Sequence, residues 1–203
     1  MLLVALTGNI ASGKSTVAAQ FQAHGAVIVD SDVLAREAVA PGTQALAEIV
    51  AHWGPSVLNH DGSLDRAALR SRVFSDDHER SVINAIVHPR VETLRQARVN
   101  RARDSGAEVV VCDIPLLFEV GLEGSFDCII LVDAPEATRL ERLTARRGLG
   151  RESARQMLAA QRSTEAKRAR ADFIIDNTES LQKLQRDVDA LWEILLARAR
   201  CTS

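Results

Sequence analysis

Tyrosine is absent from this chain of 203 residues, and its aromatic complement is five phenylalanines and two tryptophans. Base-stacking platforms for single-stranded nucleic acid need several exposed rings, so that class of function has little support. A net charge of −2 argues the same way, because non-specific binding to a polyanion needs a basic surface. Cysteine is scarce: Cys112, Cys128 and Cys201 are the whole set, an odd number without metal-ligand spacing. A disulfide framework is thereby excluded and a reducing compartment is expected. Histidines 24, 52, 60 and 78 have no ligand spacing either. No apolar run nears the roughly 20 residues that cross a bilayer, and no basic leader with a cleavage site opens the chain. A cytoplasmic protein with no membrane partner is the expectation. Lysine is the rarest charge, with three residues against 22 arginines. The N-K-x-D signature of guanine-specific switches does not occur.

One of those three lysines stands in the most informative stretch, LLVALTGNIASGKST at residues 2–16. An apolar strand-like run leads into Gly8, four residues follow, and Gly13-Lys14-Ser15 opens a helix-like run. This is G-x-x-x-x-G-K-[ST] in the setting that the phosphate-binding loop requires. Glycines let the backbone fold around an anion with no Cβ in the way. Successive N–H groups and the helix N-terminus then direct positive charge at phosphates. Lys14 supplies a full charge near the β and γ phosphates, and the Ser15 hydroxyl can ligate Mg²⁺. Gly8, Ala11, Ser12, Gly13, Lys14, Ser15 and Thr16 are therefore the predicted ATP contacts.

The spacing predicts a helix over 15–24, ended by Gly25, and a buried strand over 26–29. Strand, loop, helix and strand within thirty residues make a βαβ unit, hence an α/β fold on a parallel sheet. Ligands of such sheets bind at the carboxyl ends of the strands, which places Asp30 and Asp32 on the phosphate-loop edge. Helices are predicted over 33–40, 43–53 and 64–74, the last capped by Ser63, with a further start at Asp76 and another at His88-Pro89 running to 104. The block 33–104 thus reads as a helical insertion without a strand, suited to a second substrate. Strands follow at 108–113, 126–132 and 172–175, with helices over 136–147, 151–161 and 164–171 and a last one from Ser180 to about 200. Five parallel strands result, in a single domain with its core at 1–32, 105–138 and 171–203.

Segment 139–170 holds ten basic and three acidic residues, a local excess of seven positive charges. Arg139, Arg142 and Arg146 lie on one helix face, and glycines 148 and 150 mark a loop beyond them. An arginine-rich helical flap suits a kinase lid, which excludes water and brings guanidinium groups to the transferring phosphoryl. Arg142 is the leading candidate. Asp113 ends the strand VVVCD as a metal-positioning aspartate would, directly or through water; a turn or cap role suits that position equally. Asp30 and Asp32 have two roles open between them, orienting base for an acceptor hydroxyl and cap of the following helix. His88-Pro89 reads locally as a structural device.

Taken together, ALTGNIASGKSTVA at the start, VDSDVLAR at 29–36, VAPGTQAL from 39, DGSLDRAALRSRVF from 61, IVHPRV from 86, DIPLLFE from 113, AAQ at 159–161 and IIDN at 174–177 span most of the chain. In this order they resemble the dephospho-coenzyme A kinase family. The resemblance implies a P-loop kinase fold and an ATP- and Mg²⁺-dependent phosphorylation of the ribose 3′-hydroxyl of dephospho-CoA. It implies Lys14, Asp32 and Arg142 as catalytic, with Arg142 and Arg146 on ATP. Asp32, Arg36, His88, Pro115, Leu116, Leu117 and Glu119 would meet dephospho-CoA, and Ser15 with Asp113 would serve the metal. A monomer is expected. Two positions depart from the family: Ser31, and Asn9, which stands where glycine is usual. Asparagine tolerates positive φ better than most residues, so the loop is expected to survive. Another small-molecule or nucleoside monophosphate P-loop kinase, a nucleotide switch and an inactive nucleotide binder are the competing readings.

Overall fold

The computed structural model describes residues 1–73, 76–147, 149–161 and 163–201; the side chains of Arg146 and Arg147 lie outside that description. The elements are β1 Leu2–Gly8, α1 Lys14–Ala23, β2 Val27–Asp30, α2 Ser31–Ala38, α3 Gln44–Trp53, α4 Arg66–Val73, α5 Asp77–Asp104, β3 Val109–Asp113, β4 Cys128–Asp133, α6 Glu136–Arg147, α7 Arg151–Ala159, α8 Thr164–Arg168, β5 Phe173–Asp176 and α9 Leu181–Cys201. They fall into two compact units, Met1–Val29 with Arg101–Ser203, and Asp30–Asn100.

The first unit is built on a five-stranded parallel sheet in the order β2-β3-β1-β4-β5. β1, β3 and β4 are buried almost throughout, so they read as unbroken apolar runs rather than alternating ones, as parallel strands covered on both faces do. One face carries Leu2, Val4, Leu6, Val109, Val111, Ile130 and Val132. Onto it pack Val17 and Phe21 of α1 and a helical stripe of α9, Leu184, Val188, Leu191, Trp192 and Leu195. Each such side chain contributes about 1.5–3 kcal/mol by leaving water. Register places Asp113 beside Leu6 and Gly8 beside Val132, so the ends of β1, β3 and β4 share one edge.

The second unit is helical, with one isolated bridge between Leu58 and Leu64 among the described residues. Its core gathers Val39, Ile49, Trp53, Val57, Leu69 and Val73, with Val82, Ile83, Ile86 and Val87 of α5 packed against it. Glu79 accepts from the Trp53 indole at 2.5 Å, and Glu37 pairs with Arg98 at 2.9 Å, tying α5 to α3 and α2.

Two expectations are corrected here. The predicted helix boundary at His88-Pro89 is absent, for α5 runs through Pro89 from 77 to 104. Proline removes one backbone donor and normally ends a helix, but the apolar stripe before it packs on the core and tertiary contacts override local preference. Ser63 is also not the cap of α4. Asp65 accepts from the N–H groups of Ala67 and Ala68, both at 2.9 Å, while Ser63 bonds Asp61 in the preceding turn. Asp76 caps α5 as expected, accepting from His78 N at 2.8 Å and Glu79 N at 3.2 Å. The predicted end of α4 at Phe74 lies outside the described residues.

Candidate active site

Gly8 closes β1 where the backbone leaves the sheet. A Cβ there would stand 2.6 Å from the Val132 carbonyl oxygen and 2.7 Å from Ser12 Oγ, so only glycine fits. Gly13 caps α1 with φ +97°, and a Cβ on it would lie 2.0 Å from Asn177 Nδ2. Between them, Ala11 is the one non-glycine with positive φ among the described residues, at 60°. That conformation costs an L-residue roughly 1–2 kcal/mol, and the loop keeps it because its carbonyls are held from behind. Arg142 Nη1 donates to Ala11 O at 3.1 Å and to Ser12 O at 3.0 Å, and its Nη2 donates to Asn177 O at 3.1 Å. Asn177 Nδ2 donates to Ser12 O at 2.7 Å, and Asn177 N to Asp133 O at 2.7 Å.

The concern over Asn9 therefore takes a different form. The left-handed positions are Ala11 and Gly13, not residue 9. Asn9 is buried, and its amide donates to Thr164 Oγ1 at 2.9 Å, a bond that glycine could not make. The next residue, Ile10, donates its N–H to Gln161 Oε1 at 2.9 Å.

Lys14 and Ser15 open α1 at the end of the loop, where the helix N-terminus favours anions. The Lys14 ammonium is paired with the Asp113 carboxylate, which β1–β3 register brings to the same sheet edge. Ser15 and Thr16 are exposed. Among the described residues no three His, Cys, Asp or Glu side chains form a metal-binding group. One hydroxyl and one carboxylate nevertheless fit Mg²⁺, which keeps most of its coordination for water and phosphate oxygens; Ser15 and Asp113 provide that pair.

The remaining predicted residues divide between the units. Pro115, Leu116, Leu117 and Glu119 follow β3 in the sheet unit. Leu116 is 53% exposed, whereas Leu117 is fully buried and its side chain belongs to the core. Glu119 pairs with Lys167 at 2.9 Å. Asp32, Arg36 and His88 belong to the helical unit and are exposed, the first two on α2 and the third on α5. Asp30 Oδ1 accepts from Asp32 N at 2.7 Å and Val33 N at 3.2 Å. The cap role thus falls to Asp30, and Asp32 is left on the exposed first turn. The Arg146 side chain lies outside the described residues. Asn177, Gln161, Thr164 and Lys167 had no assigned role in the sequence; the IIDN and AAQ segments were the only signals near them.

A glycine-shaped loop after a central parallel strand, with lysine and serine heading the next helix, defines a P-loop nucleotide-binding protein. A sequence model of dephospho-CoA kinase matches residues 2–183. A dephospho-CoA kinase of Thermobifida fusca is 48% identical over 98% of both chains. A crystal structure from Thermus thermophilus superposes with a TM-score of 0.82 at 39% identity, covering 96% of this chain and 97% of that one. The dephospho-CoA kinase of Campylobacter jejuni gives 0.73 at 25% identity, covering 97% and 98%. The chain belongs to the dephospho-CoA kinase family and is an enzyme of the transferase class. No helix among the described residues is long and apolar enough to cross a membrane.

Proposed function

We propose that this chain transfers the γ-phosphoryl of ATP to the ribose 3′-hydroxyl of dephospho-CoA, giving CoA and ADP, the last step of CoA synthesis. The observation that carries it is the braced phosphate loop with its Lys14–Asp113 pair, in a chain that the family matches over residues 2–183.

Backbone N–H groups of the loop and of the start of α1 hold the β and γ phosphates, and Lys14 adds its charge there. Ser15 and, through water, Asp113 would hold Mg²⁺, which supplies charge neutralisation at the phosphate oxygens. Asp32 accepts the 3′-hydroxyl proton. The 3′-oxygen forms its bond to the γ-phosphorus as the bridging bond to the β-phosphate breaks, and ADP leaves. That Asp30 is occupied as a helix cap supports giving the base role to Asp32. Arg142 acts first as the brace of the loop. To stabilise the phosphoryl in flight it would have to leave three carbonyls. The insertion 33–104, Arg36, His88 and the 114–119 loop receive dephospho-CoA, and 139–170 covers ATP. The compactness of Asp30–Asn100 supports a separate acceptor module. We read the enzyme as a cytoplasmic monomer; Cys112 and Cys128 are buried and form no disulfide, which is in keeping with a reducing compartment.

The test is a coupled ADP-release assay with dephospho-CoA beside a panel of nucleosides and nucleoside monophosphates. Release that depends on dephospho-CoA is expected. Release with a panel member and none with dephospho-CoA would overturn the proposal.

A further inference from the structure

Gln161 and residues 163–170, around the short helix α8, contact both the phosphate loop and the chain that follows β3. At the start, Gln161 and Thr164 accept from Ile10 N and the Asn9 amide of the phosphate loop, both at 2.9 Å. At the end they grip the chain that follows β3. Lys167 pairs with Glu119 at 2.9 Å, Arg170 pairs with Glu123, and the Arg170 guanidinium lies 4.9 Å from the centre of the Phe118 ring. In the middle, Arg168 Nη1 donates to Asp133 at 2.6 Å and Asp176 at 2.8 Å, anchoring the segment on the ends of β4 and β5.

Lys167 is the unusual member. It is only 1% exposed, one of the largest fully buried side chains among the described residues. Taking an ammonium out of water costs several kcal/mol, and an apolar pair of similar volume is often as stable or more so. Stability is thus a poor reason for this ion pair. What it does provide is a tie: the 2.9 Å ion pair, made without hydrogen-bond geometry, holds the Glu119 carboxylate and with it the 114–119 loop against α8. That loop begins next to Asp113, the partner of Lys14.

We propose that Lys167 is a positioning residue for the acceptor, setting the 114–119 loop through Glu119 while the same segment holds the phosphate loop through Thr164 and Gln161. This rests on the assignment of 114–119 to dephospho-CoA made above. Lys167 touches no reacting atom. It acts through Glu119.

The experiment compares Lys167→Met, Lys167→Arg and Lys167→Met/Glu119→Gln with the wild-type enzyme in steady-state assays varying ATP and dephospho-CoA separately. The double variant guards against a fold lost to an unpaired, partly buried carboxylate, and circular dichroism confirms folding of each. The expected result is a KM for dephospho-CoA raised about tenfold, equivalent to ~1.4 kcal/mol, in Lys167→Met and in the double variant. KM for ATP should move less than twofold, and Lys167→Arg should recover most of the loss. A folded double variant with wild-type KM for dephospho-CoA overturns the proposal, as does an equal rise in both KM values. Leu116→Asp, on the exposed part of the loop, tests the underlying assignment separately. If it leaves the KM for dephospho-CoA unchanged, the loop is not an acceptor contact, whatever Lys167 does. If it raises that KM while the Lys167 variants do not, the assignment stands and the proposal falls.

Discussion

Asn177 Nδ2 lies 2.7 Å from the Ser12 carbonyl oxygen, in the space that a Cβ on Gly13 would claim at 2.0 Å from the same nitrogen. The end of β5 and the tightest point of the phosphate loop are interlocked: the glycine is small so that the asparagine can reach across it. Asn177→Ala removes one hydrogen bond, worth about 1 kcal/mol, and loosens the loop carbonyls. A KM for ATP raised about fivefold is expected, with kcat less affected. Gly13→Ala adds both a clash and a strained φ, and should abolish ATP binding. Isothermal titration with ATP checks both, and an unchanged affinity in Asn177→Ala would remove the interlock from the account.

The division of labour between Asp30 and Asp32 gives opposite expectations for two neighbouring variants. Asp30→Ala loses the cap of α2 and should cost about 1 kcal/mol of stability, read by thermal unfolding. Asp32→Asn should leave the melting temperature in place and lower kcat by about 10²–10⁴-fold. Near-normal turnover in Asp32→Asn would move the base role elsewhere.

Arg142 serves three carbonyls on two segments with one planar fork. Lysine keeps the charge and loses the fork. If bracing is the role, Arg142→Lys should behave like Arg142→Ala, each weakening ATP binding and lowering stability by about 1–3 kcal/mol. Restoration of kcat by lysine alone would show that the charge itself matters at the phosphoryl.

Burial pushes the Cys128 thiol up to about 11, from an ordinary value of 9.0. Its neutral form is the one that the fold accommodates. The resulting stabilisation is complete below the unfolded value and fades as pH rises from about 9 through about 11. Thiolate is the reactive species, so at pH 8 the native enzyme should titrate one thiol with an aromatic disulfide reagent, the exposed Cys201, and three after denaturation. Cys128→Ala should flatten the alkaline decline in stability. Rapid reaction of more than one native thiol would contradict this picture.

Much of this was legible beforehand. Buried parallel strands such as VVVCD and CIILVD announce themselves as apolar runs, and α6 and α9 as regular stripes. The phosphate loop needs its glycines at fixed places, so its letters are nearly a drawing of it. What could not be read were long-range choices. Pro89 breaks helices locally, and only the packing of Val82, Ile83, Ile86 and Val87 shows why α5 continues. Asp65 and Ser63 are both good caps, and the turn made by Asp61 decides between them. Arg142 reads from its helix spacing as a lid arginine for the phosphoryl, and no spacing rule says that its guanidinium meets the carbonyls of Ala11, Ser12 and Asn177. Asn9 looked like a backbone problem and is a side-chain contact to a residue 155 positions away.

The scarcity of lysine has a practical consequence. Lys167 is sealed from solvent, Lys14 is held against Asp113, and Lys183 sits half-exposed on α9 beside Asp187. An amine-directed label applied to the native enzyme therefore meets almost no competing side chains. On the proposed contact between Lys14 and the phosphates, bound ATP should lower modification at Lys14 relative to that at Lys183, read by mass spectrometry of the labelled peptides. Proteins with a lysine-rich surface offer no such comparison.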